Sequence, residues 1–253
     1  FKIYWGNFPI AKLSQGKDYL NPEVDLIIDE MIEHSDQTKL HNFLSGWISK
    51  KISQDLKNLI ELKNIEEENS DVRALAYHLY ENNGVIKRDN VFKILKKLGQ
   101  NERKILRKFG VKFGRYHIFL FNLFKPSAVS LRILLWKNFH QKYFDLTPPT
   151  FGLNFITDND KTNKNFMLLC GFEKFDKIYV RIDILERLFI RIFNSNNENK
   201  NETKLVPEML NLLGCNKENF LKLINTMQYK YFEKDKEIYF KYSPKKIRNK
   251  NDI

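Results

Sequence analysis

Residues 108–126, KFGVKFGRYHIFLFNLFKP, combine positive charge with aromatic rings and could bind phosphates. The segment contains no acid, and among its seven rings, counting His117, it holds four cations, Lys108, Lys112, Arg115 and Lys125. Several cations on one surface bind a polyanion, and aromatic rings can stack with unpaired bases. The same rings also fit a hydrophobic core whose rim carries solvated cations. The pattern by itself leaves both interpretations open.

The positive charge of the chain is concentrated around this segment. The formal net charge of the 253 residues is +12. Residues 86–142 contain fifteen Lys or Arg and two acids, a net charge of +13, whereas the rest of the chain sums to −1. Codon bias would spread basic residues evenly, so this concentration predicts a polyanion-binding site. The candidate contacts are Arg103, Arg107, Lys108, Lys112, Arg115, Lys125, Arg132 and Lys137.

The amino-acid sequence does not contain a recognisable catalytic motif. There is no GxxxxGK[ST] phosphate loop, and LIIDEMIEH (residues 26–34) has Ile32 where a helicase DExH box needs His or Asp. The five histidines lack metal-ligand spacing with one another and with the cysteines. Asp183 and Glu186 are interpreted as a helix cap and an ion-pair partner rather than as a general acid-base pair. We therefore predict no catalytic residue, no metal and no bound cofactor.

The elements that must position the candidate contacts are mainly helical. Residues 2–13 predict a hairpin around Gly6-Asn7, and a long amphipathic helix is expected from Asp36, which would cap it. Residues 116–124 are expected to be extended, or a short buried segment. Further helices are predicted at about residues 70–82, 89–98, 101–109 and 126–142, and a strand that becomes a helix near Asp183.

The carboxyl-terminal part has the order of a winged helix. After a polar loop at 194–203, the pattern predicts a short helix, a turn at Gly214, a helix over 217–227 and a strand pair. The fold class is therefore α+β, mainly helical with small β elements. The expected domains are a helical body at 1–193, with the amino-terminal hairpin, and a winged-helix-like unit with a basic tail at 204–253. No internal repeat is visible in the residues.

Cysteine usage and hydropathy indicate a cytoplasmic protein. Cys170 and Cys215 are far apart in apolar surroundings, which favours two buried thiols over a disulfide. No apolar run approaches the roughly 18 residues of a membrane span, and the amino end does not have the pattern of a signal peptide. Phe1 lies within a strand-like run, so a longer parent chain is expected.

Four blocks of the chain resemble one protein family. GVKFGRYHIFLFNLFKP (110–126) is similar to a signature in the carboxyl-terminal half of alphaproteobacterial superfamily 2 helicases, which are related to the mitochondrial RNA-degradosome helicase. The other blocks are VRIDILERL (180–188), WGNFPIAKLSQGKDYLNP (5–22) and GCNKENFLKLINTMQYKY (214–231). The last block departs from the family, which has Gly-Tyr where this chain has Gln228-Tyr229.

The resemblance implies that this chain is a non-catalytic accessory region of an ATP-dependent RNA helicase. The motor, with its ATP and Mg²⁺, would precede Phe1, and no catalytic residue is carried over because the motor motifs are missing here. The expected partners are RNA or another single strand and the motor itself, without a membrane. Neutralising about five phosphates predicts a salt slope of roughly −3 to −4. The alternative is a protein-interaction scaffold that docks on the motor or on an acidic partner.

Overall fold

The protein is described here by a computed structural model that covers residues 1–28, 33–158, 162–198 and 202–244. It is 51% helical and 22% strand, which confirms the predicted mainly helical α+β class. The chain divides into two compact units, Phe1–Pro149 and Thr150–Ile253. Among the described helices, none combines the length and the hydropathy that crossing a lipid bilayer requires. Asp29, Glu30 and Ile32 of the DExH-like stretch and the tail from residue 245 lie outside the described residues.

The first unit begins with the predicted hairpin, extended to a three-stranded antiparallel meander. Gly6, at φ 61°, makes the turn between the first two strands, as a left-handed position requires. The strands are β1 (Lys2–Trp5), β2 (Phe8–Ser14) and β3 (Glu23–Leu26). Ala11, Leu13 and Val24 are buried, and together with Leu44 of the following helix they form a small core. This packing explains why a strand pair at the amino end is ordered.

The long helix that the sequence predicted is divided into two. Helices α1 (His34–Asp55) and α2 (Lys57–Lys63) meet at Leu56, which leaves the helical region at φ −111° and ψ 21°. Leu56 is fully buried, as are Ile52 and Leu59 on either side of it. The prediction of Asp36 as a cap was wrong, because the N-cap is Glu33 and it makes no side-chain capping hydrogen bond. Asp36 lies in the first turn instead and pairs with Lys39.

The basic part of the first unit folds as a winged helix. The elements follow the order helix, strand, helix, helix, strand, strand: α3 (Ser70–Glu81), β4 (Val85–Lys87), α4 (Phe92–Lys97, after a 3-10 turn at Arg88–Val91), α5 (Gln100–Lys108), β5 (Val111–Phe113) and β6 (His117–Leu120). The antiparallel sheet has the order β4-β6-β5. Asn69 caps α3 by accepting hydrogen bonds from the backbone of Asp71 and Val72. The predicted helices at 70–82, 89–98 and 101–109 are therefore confirmed within one or two residues at most boundaries.

A further helix closes the first unit. After a 3-10 turn at Phe121–Phe124, α6 (Pro126–Phe139) starts with Pro126 in its first turn, as predicted, and a 3-10 turn at Gln141–Tyr143 follows it. Its buried residues Ala128 and Leu135 join the main core with Leu106, Ile118 and Leu120 of the winged helix. The core therefore lies between α6 and the helix-turn-helix, and the far side of α5 remains in solvent.

The second unit repeats the winged-helix order. Its first sheet comprises β7 (Phe155–Thr157), β8 (Phe172–Phe175) and β9 (Ile178–Arg181), with α7 (Lys164–Leu169) between β7 and β8. The winged helix follows as α8 (Ile182–Glu198), β10 (Thr203–Lys204), α9 (Pro207–Leu213), α10 (Lys217–Thr226), β11 (Tyr229–Lys234) and β12 (Glu237–Tyr242). The orders β7-β9-β8 and β10-β12-β11 match that of the first unit, with the third strand in the middle.

The observed domain organisation differs from the expected one in two ways. The division between the units falls after Pro149 rather than in the polar loop at 194–203, and α8 continues to Glu198, through the first half of that loop. Phe189 of α8 packs against Tyr229 of β11, so α8 is the first helix of the terminal winged helix. The two winged helices share the path of the backbone but not their side chains. Helix α5 carries four cations, whereas the corresponding helix α10 carries only two. The repeat is therefore not visible in the amino-acid sequence.

Candidate nucleic-acid interface

Helix α5 presents an exposed basic face. It is the second helix of the helix-turn-helix, and only Leu98 and Gly99 separate it from α4. Leu106 is fully buried against the core, whereas Lys104, Arg107 and Lys108 are exposed. Spacings of three and four residues place these three cations on one side of a helix. In helix-turn-helix proteins that bind DNA, this helix is the one that enters the groove.

The ring of Phe113 on β5 supports the guanidinium groups of α5. The Arg107 guanidinium lies 5.5 Å from the Phe113 ring centroid, and that of Arg103 lies 5.8 Å from it. A cation over an aromatic face gains electrostatic stabilisation from the ring quadrupole. The long side chain of Arg107 is therefore held beside the turn that follows β5, while it remains exposed.

Arg103 has a structural role in addition. Its Nε donates to the carbonyl oxygen of Leu98 at 3.2 Å, and its Nη2 donates to that of Leu95 at 2.9 Å. These carbonyls belong to the end of α4, where a helix leaves acceptors unsatisfied. Arg103 thus fastens α5 to α4. It is half-buried, and these bonds occupy two of its donors.

The turn between β5 and β6 places Arg115 beside the same face. Arg88 donates a 2.9 Å hydrogen bond from Nη1 to the carbonyl oxygen of Gly114, and its backbone nitrogen donates to Tyr116. The turn is therefore anchored at both sides. Arg115 is exposed at its centre, two residues after Phe113. We call Lys104, Arg107, Lys108 and Arg115 the α5 basic surface.

Two predicted contacts are exposed but lie outside this surface. Side chains alternate between the faces of a strand, so Lys112 points away from the side of Phe113 that meets α5. Lys112 is paired in register with Phe119, on the face of the sheet opposite to Phe113. Lys125 is the exposed N-cap residue of α6. The eight predicted cations therefore do not form one continuous patch.

Two further predictions of nucleic-acid contacts were wrong. Arg132 is fully buried, and its guanidinium donates to the carbonyl oxygens of Asn83 and Leu123, each at 2.8 Å. Lys137 is half-buried, and its ammonium group donates to the carbonyl oxygens of Phe144 and Leu146. Helical spacing placed both on a solvent face, but α6 packs against the turn and loop that carry these acceptors.

The aromatic rings of the opening segment are only partly internal. Phe119 and Phe124 are buried and meet edge to face, with centroids 5.3 Å apart, as expected for core rings. Phe113 is half-buried beneath the guanidinium groups. Phe121, in contrast, is 42% exposed. His117 is buried within β6, consistent with a structural histidine.

The three helical cations of the α5 basic surface, Lys104, Arg107 and Lys108, have no carboxylate partner among the described residues of the first unit. Within residues 1–28 and 33–149, no carboxylate forms an ion pair with Lys104, Arg107 or Lys108, whereas Lys97 of α4 lies 3.6 Å from Asp71. The list of candidate contacts omitted Lys104, although helical spacing in the sequence places it on one basic face with Arg103, Arg107 and Lys108. It also missed the exposed Phe92, over which Lys96 lies at 4.6 Å. A spacing of four residues was the available signal for both pairs.

The titratable groups outside the α5 basic surface include a histidine with a shifted pKa, two cysteines and a buried pair of acids. Burial, followed by repulsion from Lys142, lowers the pKa of His140 below its ordinary value, which favours a neutral ring. Cys170 and Cys215 are free thiols. Within the described parts of the chain, no group of His, Cys, Asp and Glu side chains is arranged to hold a metal ion. Asp183 and Glu186 are buried, and Asp183 receives two hydrogen bonds from Arg181.

No protein family, no characterised protein and no solved structure matches this chain. The geometry of the site therefore carries the functional argument.

Proposed function

We propose that the protein binds nucleic acid through the α5 basic surface, as a non-catalytic accessory region of an ATP-dependent RNA helicase. The observation that carries this proposal is the position of three exposed cations, without acidic partners among the described residues, on the second helix of a helix-turn-helix. Phosphates would contact Lys104, Arg107 and Lys108 first, with Arg115 at the adjacent turn. The strand would be held mainly by charge, because phosphate contacts position a nucleic acid without specifying its bases.

The resemblance to superfamily 2 helicases supports the accessory role. Gln228, the position at which the chain departs from the family's closing block, has φ 67°. Glycine is favoured in that left-handed region, so a family glycine there fits the same backbone. The proposal also implies that the reading frame preceding Phe1 encodes a motor with a phosphate loop. A frame without such a motor would remove the helicase assignment.

The direct test is a salt titration of binding to a fluorescent single-stranded RNA. Four neutralised phosphates predict a slope of log affinity against log salt of about −3 for a single strand. The triple variant Lys104→Gln, Arg107→Gln, Lys108→Gln should bind more weakly and reduce the slope by about 2. Affinity that is independent of salt, or no binding at low ionic strength, would reject the proposal.

A matched control removes the same charge elsewhere. Lys2, Lys17 and Lys50 are exposed in the same unit, and none pairs with a carboxylate among residues 1–28 and 33–149. The triple variant Lys2→Gln, Lys17→Gln, Lys50→Gln should keep most of the affinity and most of the salt slope. Equal losses in the two triple variants would show that net charge, and not the α5 basic surface, is responsible.

A second candidate function is a docking scaffold for a helicase motor, and one observation favours it. The tip of the β1–β2 hairpin exposes three large rings: Tyr4 is 57%, Trp5 73% and Phe8 74% exposed. Exposed aromatic clusters are typical of protein interfaces. The double variant Trp5→Ser, Phe8→Ser separates the two functions, since it should lose binding to the motor and keep binding to RNA if the hairpin is the docking element.

A further inference from the structure

The solvent face of the terminal hairpin carries an aromatic pair surrounded by lysines. Residues directly opposite each other on β11 and β12 point to the same side of the sheet. Tyr229 and Phe240 are buried on the inner side, against α10 and α8. The outer side therefore carries three register pairs: Lys230 with Lys241, Phe232 with Tyr239, and Lys234 with Glu237.

The two outer rings lie nearly parallel to each other. The ring centroids of Phe232 and Tyr239 are 6.0 Å apart, and their planes differ by only 19°. The hydroxyl of Tyr239 donates a 3.3 Å hydrogen bond to Glu237, which also pairs with Lys204 of β10. This contact fixes the ring of Tyr239 against the sheet. Both side chains are half-buried, so part of each ring is accessible to a ligand from solvent.

The two lysines beside the rings, Lys230 and Lys241, have no carboxylate partner in the described part of the second unit. Lys230 and Lys241 face each other directly across the strands, an arrangement of like charges that disfavours the hairpin. No carboxylate in residues 162–198 or 202–244 pairs with either of them, and the Lys241 ammonium lies 5.7 Å from the Phe232 ring centroid. A phosphate placed between these two lysines would relieve their repulsion.

We infer that this outer face is a base-stacking platform for single-stranded nucleic acid, with Phe232 and Tyr239 stacking on unpaired bases and Lys230 and Lys241 binding the adjoining phosphates. Sheet aromatics with flanking cations bind single strands in this way, because every base has a π face and every linkage a phosphate. We call these four residues the stacking platform. The inference rests on the proposed function, but it concerns a different surface, in the second unit, and a different chemistry.

A strand without bases distinguishes binding by the stacking platform from binding by the α5 basic surface. The full chain is titrated, by fluorescence anisotropy, with a 20-nucleotide single strand and with a strand of equal length in which the bases are replaced by abasic sites. The phosphates are the same in both. The α5 basic surface should bind both strands, whereas the stacking platform can gain only from bases. We expect the strand with bases to bind more tightly, by roughly 5- to 150-fold for each stacked base.

Substitutions of the two rings test whether stacking causes the difference in affinity between the two strands. Phe232→Leu and Tyr239→Leu should each lose most of the preference for the base-bearing strand and keep the affinity for the abasic one. Phe232→Tyr should retain the preference, and it keeps the test informative if a leucine variant folds poorly. Tyr231→Leu is the matched control, because Tyr231 precedes Phe232 on the same strand, is 53% exposed and points to the other face. It should behave like the wild type.

The outcomes distinguish the two proposals. If the wild type binds both strands equally, or if Phe232→Leu leaves the preference unchanged, the stacking platform is rejected while the α5 basic surface stands. If Phe232→Leu weakens both strands equally, the ring has only a structural role and the platform is likewise rejected. If neither strand binds at low salt, the proposed function itself falls.

Discussion

The Nη1 atom of Arg132 donates a 2.8 Å hydrogen bond to the carbonyl oxygen of Asn83, inside the turn that leads from α3 to β4. Asn83 has φ 54°, and the adjacent Gly84 has φ 81°, so this turn has two left-handed residues in succession. The second donor, Nη2, reaches the carbonyl oxygen of Leu123. One buried guanidinium thus joins α6 to the turn before β4 and to the 3-10 turn that follows β6.

This contact predicts that Arg132 is required for stability rather than for binding. Arg132→Met should lower the free energy of unfolding by about 2–5 kcal/mol, because two buried carbonyl oxygens lose a charged donor. Urea unfolding followed by circular dichroism measures the change. Lys125→Gln, at the exposed start of the same helix, should change stability by less than about 0.5 kcal/mol. Equal stability of Arg132→Met and wild type would contradict this role.

The backbone of Gln228 predicts a stabilising substitution. Gln228 follows the C-cap residue Met227 of α10 and has φ 67°, a position at which glycine is favoured. Left-handed conformation costs a residue with a side chain about 1–2 kcal/mol, of which the greater freedom of an unfolded glycine offsets a part. Gln228→Gly should therefore raise the free energy of unfolding by roughly 0.5–1 kcal/mol.

The control for this variant is the same substitution within a helix. Gln54 is exposed in α1, where glycine weakens a helix. Gln54→Gly should lower the free energy of unfolding by roughly 0.5–1 kcal/mol. Thermal unfolding measures both variants, and a loss of stability in both would show that φ at Gln228 is not a source of strain.

Asp18 and Lys63 predict a pH dependence of stability. Partial burial raises the pKa of Asp18, but hydrogen bonds from Lys63, Asn21 and the Leu20 backbone outweigh it, so that the pKa lies below its ordinary value. The hydrogen bond to Asp18 raises the pKa of Lys63. The stabilisation should therefore be present above the unfolded pKa of Asp, about 4, and below that of Lys, about 10.4.

Unfolding of the Asp18→Asn variant across pH measures this contribution. The variant should be less stable than wild type by up to about 1 kcal/mol between pH 5 and 9, since the pair is partly exposed. The difference should vanish as pH falls through the folded pKa of Asp18. Asp36→Asn breaks the more exposed pair with Lys39 and should have a smaller effect. A difference that grows on acidification would contradict the assigned sign.

The half-buried thiol of Cys215 predicts slow alkylation. Burial raises the pKa of Cys215 to about 11, so little thiolate is present at neutral pH. At pH 8 the native chain should react with iodoacetamide about two orders of magnitude more slowly at Cys215 than the urea-unfolded chain, whose thiol has a pKa near 8.5. Peptide-resolved mass spectrometry reads each cysteine separately, and equal rates in native and unfolded chains would refute the assignment.

The local elements could be predicted well because their signals are local. Helical spacing, Pro126 at a helix start and Gly214 at a turn act within a few residues of themselves, and Gly214 indeed closes α9 in the left-handed conformation. The division of α1 from α2 at Leu56 could not be seen, since a leucine is compatible with an uninterrupted helix. It depends on the core that receives Leu56.

The site was predicted only in part for the same reason. Lysine and arginine are charged wherever they lie in a fold. The concentration of positive charge in residues 86–142 could therefore be identified from the sequence alone. The direction in which each of these side chains points could not be predicted from the sequence. Arg107 and Lys108 are exposed on α5, Lys112 lies on the sheet face opposite to Phe113, and Arg132 is buried.

The sequence by itself determined the fold class, most helices and hairpins, and the basic segment, because propensity, periodicity and charge are properties of neighbouring residues. Tertiary structure alone decided that the winged-helix order occurs twice, and that Phe232 and Tyr239 lie side by side. Strand order and cross-strand register depend on which distant segments bury their apolar faces together. That choice is made by the whole core, and no short window of residues contains it.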